Sequence, residues 1–66
     1  MTLAEALPAQ MARVRDKVIP AYESVPMGHI AASAARSDLD MAAKAMIEGD
    51  LPAMIRVYES LKGWNV

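Results

Sequence analysis

Between Pro26 and Gly49 the sequence reads MGHIAASAARSDLDMAAKAMIE, a stretch with no proline and seven alanines. Alanine is the best helix former, and nothing in this stretch forces a break. Pro26 suits the first position of a helix, where its missing N–H would be unpaired anyway. Gly49 suits the residue just past the end, where a left-handed backbone closes the last turn. The spacing therefore predicts one helix over 26–48, about 35 Å long at 1.5 Å per residue. In a chain of 66 residues, every other element must pack along that rod. Ser37-Asp38-Leu39-Asp40 offers a cap at which the helix could split near 37. Alanine on both sides favours continuity.

At about 100° per residue, Ala31, Ala32, Ala35, Leu39, Ala42, Ala43 and Met46 gather on one broad face. Ser33, Arg36, Ser37, Asp40 and Lys44 gather opposite. Ile30, Ala34, Met41 and Ala45 make a narrower apolar strip on the flank. A helix in a two-layer contact needs one apolar stripe, and this one has two.

On the N-terminal side, Thr2-Leu3-Ala4-Glu5 has the form of a capping box. The apolar positions Leu3, Leu7, Met11, Val14, Val18, Tyr22 and Val25 then follow at steps of three and four. This predicts a helix over about 3–19, kinked at Pro8 and broken more strongly at Pro20, with a short turn over 20–25. On the C-terminal side, Asp50 caps a helix over 51–62 with Pro52 in its first turn. Its stripe is Leu51, Met54, Ile55, Tyr58 and Leu61. Arg56 and Glu59 are placed to pair, Lys62 favours the helix end, and Gly63 with Trp64 close it. The expected fold class is all-α: a small three-helix up-down bundle in one domain, 1–66, completed by self-association.

Size supports that last expectation. A chain this short buries only about 60% of its unfolded surface, and with no cysteine it has no disulfide to compensate. The net charge of −1 is spread evenly along the chain. No apolar stretch approaches the roughly 20 residues of a bilayer span. The N-terminal MTLAEALPAQ lacks the basic and apolar regions of a signal peptide. A cytoplasmic protein is expected, with no membrane partner.

For chemistry, the sequence offers little. His29 is the only histidine, and no second ligand or general base lies within a turn of it. Asp38 and Asp40, two apart on a helix, point away from each other. Asp38, Asp40, Glu48 and Asp50 read as solvated surface and caps. No glycine-rich phosphate loop and no nucleophile–base pairing exists. No enzyme activity, catalytic residue, cofactor or metal is expected.

Two function classes remain. The first is a protein-binding module that is itself a homo-oligomer, with Tyr22, Met27, Ile30, Met41, Tyr58 and Trp64 as candidate interface residues and the identity of any further protein partner open. The second is a DNA-binding regulator built on a degenerate helix-turn-helix corner at 39–62. There Ala45, Gly49 and Ile55 sit at the right intervals, but Lys44 and Glu48 stand where apolar residues belong. Arg13, Arg15 and Lys17 cluster on the first helix, yet a net negative chain starts poorly on phosphates, so nucleic acid is disfavoured. The segments IPAYESV (19–25) and IRVYESL (55–61), which share the pattern Ile-x-x-Tyr-Glu-Ser, read as two helix-ending stretches, each anchored by a tyrosine.

Overall fold

The computed structural model describes residues 2–65, and among these all regular structure is helical. The elements are α1 (Leu3–Arg13), a π-helical turn (Val14–Val18), α2 (Ile19–Glu23), α3 (Gly28–Glu48) and α4 (Leu51–Lys62).

The first three run on without a break, so the N-terminal helix continues past Ile19, through Pro20, to Glu23. Proline lacks an N–H, and its ring collides with the carbonyl four residues back. The chain answers with a wider turn just upstream. The Ile19 N–H bonds to the Val14 carbonyl, five residues back, and the helix continues past Pro20 to Glu23. A π turn, closed five residues back and not four, holds one residue more than an α turn. Pro8 sits inside α1. Its unmet carbonyl belongs to Ala4, which is exposed and open to water. The capping box does not form: Thr2 is the N-cap, but its hydroxyl makes no capping bond. The Thr2 carbonyl accepts from Glu5 and Ala6 instead.

The turn into α3 also departs from expectation. Pro26 stays in the turn, and the helix opens at Gly28. Met27 adopts a left-handed backbone at φ 66°. That conformation turns Gly28 inward until its backbone lies against the Tyr22 carbonyl, where an added Cβ would sit 1.6 Å from the oxygen. From there α3 runs unbroken through Ser37 to Glu48.

The second connection forms as its residues dictate. Gly49 is left-handed at φ 65°. Its N–H bonds to Met46, and that of Asp50 bonds to Ala45, the paired closure of a Schellman motif. The Asp50 carboxylate accepts from the Ala53 N–H at 3.2 Å. At the far end of α4, Gly63 is right-handed (φ −73°), not the left-handed C′ glycine expected.

α3 lies along both α2 and α4, while α1 lies along α4. Leu7, Val14, Val18 and Leu61 are fully buried, and Ala32, Ala35 and Ala42 meet them from α3 with no exposed surface. An alanine face lets both neighbours approach closely. The expected faces are turned slightly. On α3, Ala45 is buried while Ala43 is exposed; on α4, Val57 and Leu61 are buried while Leu51 and Ile55 stay half exposed. The cause is that α4 sits between α3 and α1 and turns Val57 toward α3.

Candidate interaction surface

The six candidate interface residues fall into two groups. The aromatic ones pack within the chain. Tyr22 and Trp64 meet edge to face, 5.8 Å between centroids at 76°. The Tyr22 hydroxyl donates to the Asn65 carbonyl at 2.9 Å. Trp64 Nε1 donates to Asp38 Oδ2 at 2.9 Å, and the same oxygen accepts from Ser60 Oγ at 2.7 Å. Asp38 thereby fastens the C-terminal segment to α3. Tyr58 is half buried against the core, with Lys62 Nζ 5.3 Å from its ring centre. The other three point outward: Met27 is 68% exposed, Ile30 60% and Met41 53%.

Ile30, Ala34 and Met41 form an open strip along α3, as the helical spacing implies. Val25 and Met27, in the turn before it, extend the strip into an apolar knob. The turn that carries the knob is held by backbone hydrogen bonds. The Gly28 N–H bonds to Val25 and the Ile30 N–H to Met27. Toward the other end of α3 the strip passes into a groove of about 420 Å³ between α3 and α4. Ala45 and Val57 form its buried floor, and Met41 and Ala53 its apolar walls. Lys44, Glu48, Asp50 and Arg56 line its rims. A separate apolar patch, Met46, Ile47, Leu51 and Ile55, marks the α3–α4 corner.

The ends of α3 carry an electrostatic mismatch. A helix N-terminus favours anions and its C-terminus cations. α3 has no acidic residue in its first turn and no side-chain cap from Met27; its last turn has no basic residue and ends in Glu48. Glu48 forms no ion pair among the described residues.

Most of the remaining charges are engaged locally. Arg13 donates to the Leu61 carbonyl at 2.8 Å and to Gln10 at 2.9 Å. It supplies the cationic cap for the end of α4 from a position 48 residues away in sequence. Arg15 chelates Asp16 through two hydrogen bonds, and this holds the Asp16 carboxyl below its usual range. Arg36 pairs with Glu23. Glu59 faces Lys62 at 4.0 Å, in place of the Arg56 pairing that the sequence suggested. His29 is exposed, and no cluster of acidic, histidine or cysteine side chains among the described residues could hold a metal ion. No helix among them is long and apolar enough to cross a membrane.

Sequence reasoning passed over three features: the Asp38 clamp, the Arg13 cap and the groove. Only the groove had a local signal, the small residues Ala45 and Ala53 beside bulky Met41. No protein-family model, curated protein or solved structure matches the chain.

Proposed function

We propose that this chain is a small helical module that acts by binding protein, and that it self-associates through the exposed apolar strip of α3. One observation carries the reading. The chain's accessible surface is 4247 Å², close to the roughly 4,100 Å² expected of a compact monomer of this mass. Yet eight large apolar side chains remain substantially exposed among the described residues. The exposure does not come from loose folding. It collects on the α3 strip and at the α3–α4 corner, as apolar interaction surfaces do. The role proposed is binding and not catalysis.

The alternative of a DNA-binding corner at 39–62 gains no support. Arg56 faces the groove beside Glu48 and Asp50, and Lys62 lies over Tyr58 with Glu59 beside it. Sedimentation equilibrium from micromolar to millimolar concentration tests the proposal. A concentration-dependent rise above 7.1 kDa is expected, and a monomer throughout would overturn it.

A further inference from the structure

We infer that the partner of α3 is the α3 of a second copy, antiparallel and two-fold symmetric, with the Met27–Ile30 knob of each copy seated in the α3–α4 groove of the other. This rests on the self-association proposed above and specifies its geometry. Three observations lead to it.

The first is register. Ile30 and Ala45, and likewise Ala34 and Met41, are placed symmetrically about the midpoint between Ser37 and Asp38. A two-fold axis there brings each large side chain over a small one: Ile30 over the Ala45 floor, Met41 over Ala34. A symmetric dimer requires one self-complementary patch, and this helix carries knob and socket at matching distances along its length. The second is the crossing point. Exposed Ser37 and Ala34 let two helix backbones approach where the axis passes.

The third is charge. Antiparallel pairing lays Glu48 of each copy beside the open, acid-free first turn of the other α3. Both mismatched helix ends are corrected by one operation, whereas parallel pairing would leave each beside its like. The knob also loses little freedom on docking, because the turn that carries it is already held by hydrogen bonds.

The chain has no cysteine, so single-cysteine variants report the geometry without background. Under mild oxidation Ser37→Cys should give a covalent dimer. Ile30→Cys should not, because an antiparallel pair holds the two copies of that position about 22 Å apart at 1.5 Å per residue. Ile47→Cys, off the strip and 87% exposed, should not either. Two further variants act in opposite directions on fold and dimer. Ile30→Asp adds an acid to the first turn of α3, which favours the folded monomer, yet it should weaken the dimer more than about 100-fold by burying a charge. Glu48→Gln should leave the monomer as stable or more so while weakening the dimer about 3- to 30-fold, for two lost helix-end contacts.

A monomer at about 1 mM overturns both this inference and the proposal it rests on. A dimer in which Ser37→Cys stays unlinked, Ile30→Cys or Ile47→Cys links, or Ile30→Asp is without effect overturns the geometry alone.

Discussion

Replacing Gly28 by alanine separates two ways in which a glycine can be required. The Cβ would lie 1.6 Å from the Tyr22 carbonyl oxygen, 2.6 Å from its carbon and 2.9 Å from Val25 Cγ2. Carbon–oxygen contacts closer than about 3 Å are strongly repulsive, and a backbone obstacle cannot rotate aside as a side chain does. The end of α2 and the start of α3 must separate by more than 1 Å. That separation strains the Val25–Tyr22 hydrogen bond and the Tyr22–Trp64 contact. Ordinary overpacking costs about 1–3 kcal/mol, and a clash this deep should reach or exceed about 3. A domain of this size has roughly 3–10 kcal/mol in total.

Gly49→Ala meets nothing within 4 Å and is opposed only by its φ of +65°, worth about 1–2 kcal/mol. At about 4–8 °C per kcal/mol, Gly28→Ala should lower Tm by more than about 12 °C and Gly49→Ala by about 4–16 °C. The assay is thermal unfolding by far-ultraviolet circular dichroism at one fixed protein concentration, since association would shift Tm. If Gly28→Ala melts no lower than Gly49→Ala, the close approach of α2 to α3 is wrong. Gly63→Ala, right-handed and uncrowded, should melt within a few degrees of the parent.

Other expectations follow from single contacts. Arg13→Met keeps the aliphatic stem but removes the cationic donor to Leu61; a loss of about 1–2 kcal/mol in urea unfolding is expected, and no change would deny the cap. Asp38→Ala leaves Trp64 Nε1 without its acceptor, so tryptophan emission should move to longer wavelength and stability fall by about 1–2 kcal/mol. The Asp16 carboxyl, held down by the Arg15 guanidinium, should titrate by NMR below the usual aspartate range, and Arg15→Gln should return it. The sign follows from linkage: whatever this pair contributes is present above the unfolded pKa and fades as pH falls through the folded one. Added salt should screen the shift, because both side chains are more than half exposed.

Much of the fold was legible wherever a few neighbouring residues decide the outcome. Gly49 and Asp50 determine their turn through backbone freedom and a short carboxylate, and both formed as the sequence indicated. The three helices follow from apolar spacing in the same way. What escaped were outcomes decided across the chain. Met27 is left-handed because Gly28 must reach Tyr22. Gly63 is right-handed, although like Gly49 it directly follows the last residue of a helix. Arg13 caps a helix whose end is far away in sequence, and Asp38 looked like surface because its two donors arrive from the C-terminal segment.

The interface candidates show the same division. Hydrophobicity ranks Tyr22, Trp64 and Ile30 alike as buried or binding. Only the packing of the C-terminal segment shows that the aromatics are already engaged within the chain, while Met27, Ile30 and Met41 are not.

The π turn at Val14–Val18 has a consequence beyond carrying the helix past Pro20. Upstream of it the rod lies on α4; downstream it lies on α3. The wide turn takes up one residue, so the apolar faces before and after it keep the phase that these two contacts need. Removing one residue from 14–18 should let the rod close as ordinary α-helix with Leu7 and Ile19 still facing inward, and should bring Pro20 back against the carbonyl four residues upstream. Exposed Arg15, Asp16 and Lys17 should each tolerate substitution, and a deletion among them should cost the relief of the proline and not the core.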